Sequence, residues 1–142
     1  MGAKENLAVI AAMQQAAQDG DFEHWGSCIA DDAVWRAAGV PSSMGGVVTG
    51  KQSIVELATA SAGDRLEVKD RFADDEHVCV IGKLNSQWSG NDYLRGAEKP
   101  FSTYQCLVYR IVDGKVTEVT SYINWLDAYV QVCLVDPSSF LS

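Results

Sequence analysis

The sequence predicts an α+β fold, with helices first and a curved antiparallel sheet after them. Three observations predict it. The N-terminal part carries apolar residues at helical spacing, and the second half is one β-rich run after another. The two longest runs flank Asp113-Gly114, a dipeptide suited to the positive φ angles of a tight hairpin turn. Helices that precede a run of strands pack on one face of the sheet those strands form.

Each element has its own warrant. From Glu5 to Gln18, Leu7, Ile10, Ala11, Met13 and Ala17 mark one apolar face of a helix. Asp19-Gly20-Asp21 ends that helix, and Asp21 can cap a second one carrying Phe22, Trp25 and Ile29. Ala33-Val34-Trp35-Arg36-Ala37 reads as a short strand after the Asp31-Asp32 turn, with Arg36 turned to solvent. Gly39 to Gly50, rich in Gly and Ser with one Pro, reads as a mobile loop. Lys51 to Ala60 sets Ile54, Val55, Leu57 and Ala58 on a third helix. Strands then follow over Leu66 to Phe72, Val78 to Trp88, Phe101 to Val112 and Lys115 to Trp125. Ser89 to Pro100 is the turn between the second and third of these. The tail after Leu126 shows no period and is broken by Pro137.

Composition bounds the function. The 142 residues suit one domain, with a core over about 5–126 and a tail over 127–142. The content is 47% hydrophobic and 21% charged, that of an ordinary soluble protein. Eleven Lys and Arg against 19 Asp and Glu give a net charge of −8, which argues against nucleic acid and anionic membranes as partners. No apolar run reaches the ~20 residues of a membrane span. Met1-Gly2-Ala3-Lys4-Glu5 is unlike a signal peptide, so a cytoplasmic protein is expected. Cys28, Cys79, Cys106 and Cys133 lack metal-ligand spacing and read as free buried thiols. His24 and His77 read as surface residues, so neither a metal site nor a histidine triad is expected.

The order of motifs is informative beyond this. Two helices meet at Asp19-Gly20-Asp21, Ile29 to Trp35 follows, then Gly50-Lys-Gln-Ser-Ile54, then Arg110-Ile-Val-Asp-Gly-Lys-Val116 with Tyr122 beyond. This layout resembles the nuclear transport factor two-like superfamily, in particular its SnoaL-like polyketide cyclase and ketosteroid isomerase-like branches. The resemblance implies a cone-shaped sheet closed by about three N-terminal helices around a deep apolar pocket, and frequent homodimers through the outer sheet face.

It also implies where the chemistry should sit. The ketosteroid isomerase base and oxyanion donors align with Ala37, Met13 and Leu107, none of which can move a proton. The Asp–Arg–Asp set of the epoxide hydrolases aligns with Asn85, Lys83 and Asn124, and its helper residues with Trp35 and Ala37. A carboxamide cannot take a proton from water. Alternation puts Lys83, Asn85 and Gln87 on one strand face. With Asn124 they would form a polar patch in a pocket walled by Trp35, Tyr109 and Leu107, while Leu84 and Trp88 face outward toward a dimer partner. The expected catalytic residues are therefore Asn124, Asn85, Lys83 and Tyr109. The expected substrate contacts are Trp35, Gln87, Leu107, Met13 and Tyr122. Asp92 or Glu98 could supply a base if the long turn folded over the pocket mouth.

Three functions fit this reading. The first is an enzyme without metal or organic cofactor, a cyclase, isomerase or dehydratase acting on a small apolar polyketide- or terpenoid-like metabolite. The second is a carrier of such a molecule, and the third a dimerisation module.

Overall fold

The computed structural model describes residues 2–40, 43, 46–88, 99–133 and 135–140, with the side chains of Trp88 and Phe140 left aside. The helices are α1 (Ala3–Gln18), α2 (Phe22–Ser27), α3 (Lys51–Ala60) and α4 (Trp125–Gln131). The strands are β1 (Ile29–Ala38), β2 (Val47–Thr49), β3 (Arg65–Ala73), β4 (His77–Trp88), β5 (Lys99–Val112) and β6 (Lys115–Ile123). They form one curved, unclosed sheet in the order β2-β1-β6-β5-β4-β3. The α+β class and the helix-first order are those the sequence predicts.

The details differ in instructive places. Ile29 starts β1 rather than ending α2, and β1 lies parallel to β6, so the sheet is not wholly antiparallel. Val47–Thr49, within the expected loop, is an edge strand because Val34, Trp35 and Arg36 offer it a free ladder. Residues 41, 42, 44 and 45 of the expected loop lie outside those described, as do residues 89–98 with Asp92 and Glu98. The tail forms α4, capped by Asn124, whose side-chain oxygen accepts the Asp127 backbone N–H at 3.1 Å.

Turn chemistry behaves as predicted at both sharp corners. Asp113 and Gly114 take φ of 51° and 76°, closing the β5–β6 hairpin. Asp21 accepts the His24 N–H at 3.0 Å to start α2. Buried Asn6 on α1 donates to the backbone carbonyls of Asp74 and Asp75, which clamps the first helix to the β3–β4 turn.

The core lies between the helices and one sheet face. Ile10, Met13, Ile29, Val78, Val80 and Val116 are essentially without solvent exposure there. Full burial of such a side chain contributes about 1.5–3 kcal/mol. α4 has a separate task. β6 ends opposite Gln105, so toward Phe101 β5 runs on with β4 on one side and no strand on the other. Gln131 fills the gap, accepting the Ser102 N–H at 2.9 Å and donating to its carbonyl at 2.7 Å. The exposed edge is thereby paired.

Gly82 lets β3 approach β4 closely. A Cβ there would sit 2.6 Å from the Glu67 carbonyl oxygen and 2.8 Å from Leu66. Gly82→Ala is expected to cost about 1–3 kcal/mol through forced strand displacement. A lower midpoint in thermal unfolding checks this, and an unchanged midpoint would show that β3 gives way freely.

Candidate functional site

Residues on the helix-covered sheet face, together with α1, α2 and α3, enclose a cavity of about 360 Å³. Alternation selects what enters it. From β4 come Leu84 and Ser86; from β5, Phe101, Gln105, Leu107 and Tyr109; from β1, Trp35 and Ala37. The helices add Phe22, Trp25, Ile54 and Leu57, and α4 adds Trp125. Trp25 and Trp35 lie with ring centroids 6.2 Å apart, a rigid aromatic corner of the wall.

Polar groups enter this apolar wall at three levels. Deepest is Tyr109, a buried phenol whose ionisation burial opposes, with Arg71 acting weakly the other way. It therefore stays a neutral donor. Near it, Gln14 accepts the Arg71 Nε–H at 2.9 Å, while its own buried Nε2 has no hydrogen-bond partner. Midway, Gln105 Nε2 donates to the Ser121 hydroxyl at 2.9 Å. At the other end stand Asp64, in the α3–β3 turn, and Ser86, whose hydroxyl donates to the Asp64 carboxylate. Burial raises the Asp64 carboxyl above its ordinary value, with the Ser86 bond and the Arg65 charge pulling back. Among the described residues, Asp64 and Arg65 are the charged members of the wall.

Trp35, Leu107 and Tyr109 line the cavity as expected. The other expected residues do not. Lys83, Asn85 and Gln87 share a face, but it is the face turned away from the cavity, because Val78, Val80 and Leu84 claim the inner one. Lys83 stands over the Tyr104 ring at 6.0 Å. Asn85 accepts the Ser102 hydroxyl at 2.8 Å and shares a shallow outer depression with Gln87 and Gln131. Leu84, expected to face a partner, is a buried wall residue instead. Tyr122 is half exposed on the outer face. Met13 is core behind the wall, where Gln14, Ala17 and Gln18 present α1 to the cavity. Asn124 is exposed and spent on its helix cap.

Asp64 was missed by the sequence reading. It follows Gly63 at a helix end, where a turn aspartate is ordinary, and nothing local reveals that Ser86 of β4 will meet it. No helix among the described residues is long and apolar enough to cross a membrane. No group of three His, Cys, Asp or Glu among them could hold a metal.

Residues 10–119 match the SnoaL-like domain, which spans most of the chain. The chain belongs to the SnoaL-like family. Its fold is shared by a protein of Xanthomonas campestris pv. campestris assigned as a polyketide cyclase, with a TM-score of 0.76, 18% identity, and 92% of this chain and 98% of that one covered. A protein of Jannaschia sp. CCS1 assigned as a SnoaL-like polyketide cyclase gives 0.76 at 13% identity over 94% and 95%. An LEH-like epoxide hydrolase of M. tuberculosis gives 0.72 at 18% identity over 93% and 92%. These likenesses establish the nuclear transport factor two-like fold. No curated protein sequence matches the chain significantly.

The cap assignment gives Asn124→Ala a definite outcome. It is expected to destabilise the fold by about 1 kcal/mol, the usual cost of a lost N-cap, with cavity binding unchanged. Denaturant unfolding beside a ligand titration checks it; weakened binding at full stability would return Asn124 to the site.

Proposed function

We propose that this SnoaL-like protein is a cofactor-free cyclase, isomerase or dehydratase acting on a small apolar, polyketide- or terpenoid-like metabolite held in its cavity. The observation that carries the reading is the cavity itself: apolar and aromatic walls, a volume of about 360 Å³, and polar groups at only a few points. Such a site binds by burying apolar surface and uses its few polar groups to orient the ligand. Trp35 and Leu107 are the contacts we assign to the ligand body, and Tyr109 is a neutral hydrogen-bond donor to a ligand oxygen. Holding a reactive conformer in a dry, shaped space can itself accelerate a ring closure. The family's solved members assigned as polyketide cyclases support the same reading by fold alone.

A carrier without turnover is the second reading. It is favoured by Ala37, Met13 and Leu107, which place no acid or base where the isomerases of the fold keep theirs.

Native mass spectrometry of the protein incubated with a panel of polycyclic aromatic ketones separates the two. A one-to-one complex is expected for some members, with the ligand mass or its retention time altered on standing. An unaltered complex would favour the carrier, and no complex with any member would sink both readings. Leu107→Trp, which fills the cavity at a cost of about 1–3 kcal/mol, should abolish retention in a protein still folded by circular dichroism.

Two wider features belong to the same reading. Free cysteines and an acidic chain support a reducing, cytoplasmic setting. The uncovered sheet face supports a homodimer, since Tyr104, Phe72 and Tyr122 stand 65%, 54% and 52% exposed on it. Light scattering is expected to give twice the chain mass, and Tyr104→Asp to reduce it to one. A wild-type monomer at micromolar concentration would refute the dimer.

A further inference from the structure

We infer that Asp64 is the base of this cavity, a carboxylate at its Ser86 end that removes a proton from carbon in an apolar substrate with an acidified C–H bond. The inference rests on the cavity being a substrate site and adds the group that moves the proton.

Four observations place the group. Asp64 is the one carboxylate among the described residues of the wall. Its side chain is held, because the Ser86 hydroxyl donates to its Oδ1. A single hydroxyl leaves Oδ2 with no hydrogen-bond partner among the described side chains, so one oxygen is tethered and the other is free to take a proton. The turn beneath is fixed as well: the Asp64 N–H bonds the Ser61 carbonyl at 2.9 Å, and Arg65 Nη1 donates to the Ala62 and Asp64 carbonyls at 3.1 and 2.9 Å.

The surroundings suit a base. Leu66, Leu84, Phe101 and Leu57 furnish an apolar setting at this end. Partial desolvation raises the affinity of the carboxylate for a proton, and the Ser86 hydrogen bond and the Arg65 charge oppose that rise. Arg65, the wall's cation, comes from the next position in the chain and can stabilise negative charge forming on a substrate oxygen. Tyr109 is not the partner in this step. Ser86 pairs with Phe101 and Val78 with Tyr109, which puts the two ends roughly 26 Å apart measured along the strand. A substrate long enough to reach both would be oriented by one end and deprotonated at the other.

The step balances without a co-reactant. Asp64 takes the proton from a carbon beside a carbonyl group, and the C–H electron pair becomes the double bond of an enolate. The carboxylic acid formed then returns the proton to another carbon of the conjugated system, which yields an isomer and restores the base.

Nitrobenzisoxazole tests this without knowledge of the natural substrate. A carboxylate in an apolar site takes its ring proton, the C–H pair becomes the third bond of a nitrile, and the N–O bond breaks to release a coloured phenolate. The wild-type protein is expected to turn it over saturably, about a hundredfold or more faster than acetate at equal pH. The rate should rise with pH to a plateau, with a midpoint above the ordinary aspartate range because burial lifts it, while Ser86 and Arg65 pull it back; Tyr109 ionises far above it. Asp64→Asn keeps an acceptor for Ser86 and should bind the probe with the acceleration gone, and Asp64→Glu should restore part of it. Saturable turnover that survives in Asp64→Asn overturns the inference while leaving the cavity reading intact. Failure of the probe to bind overturns both. A loss in Asp64→Asn that comes with a lowered unfolding midpoint would make Asp64 a structural tie between the turn and β4.

Discussion

The antiparallel ladder between β4 and β5 governs the cavity more than any other contact. It pairs His77 through Trp88 with Lys99 through Arg110 without a bulge, so alternation is never reset along its length. Every second residue of both strands therefore faces the helices, and the others face away. Val78, Val80, Leu107 and Tyr109 then meet α1 and α2, while Leu84, Ser86 and Phe101 stand where α3 and its following turn can reach them. Slipping β4 by one residue would put Lys83 and Asn85 into the apolar space and turn Val80 and Leu84 to water. The cost of burying an unpaired lysine alone forbids it.

Closure of the space depends on pieces that ride on this ladder. Gly82 admits β3 close against β4, which brings Leu66 and Val68 into the wall. The β3 register shifts between Val68 and Asp70, a bulge that helps bend the sheet around α1. At the far end α4 caps the β5 edge through Gln131 and presents Trp125 to the cavity. An irregular-looking tail thus supplies the helix that covers an unpaired strand edge, and Trp125 at the start of that helix lines the cavity.

Much of the fold was legible in the residues. Helical spacing placed α1 and α3, Asp21 placed the start of α2, and Asp113-Gly114 placed the hairpin, since each acts over a few residues and its signal is local. The order of these motifs was enough to suggest the family. The site was legible in part. Trp35, Leu107 and Tyr109 could be assigned to the wall from strand position and apolar character. The polar set on β4 was assigned to the wrong face by carrying over the epoxide hydrolase positions. The alternation of Val78, Val80 and Leu84 against Lys83, Asn85 and Gln87 held the correct answer, for a strand with one buried face buries its apolar parity.

The sequence by itself determined which segments become helix or strand, where the chain turns, and which parity of each strand is apolar, because these follow from dihedral preferences and from water's exclusion of apolar surface. Only the tertiary structure decided which polar residues share the cavity. Asp64 and Ser86 are 22 positions apart and sit on different elements, so no local rule couples them. Asn124, which sequence position alone placed in a pocket, was claimed instead by the backbone N–H of Asp127 three residues on. A side chain's chemistry is fixed by its type, but its task is fixed by the neighbours that the fold brings within hydrogen-bonding distance.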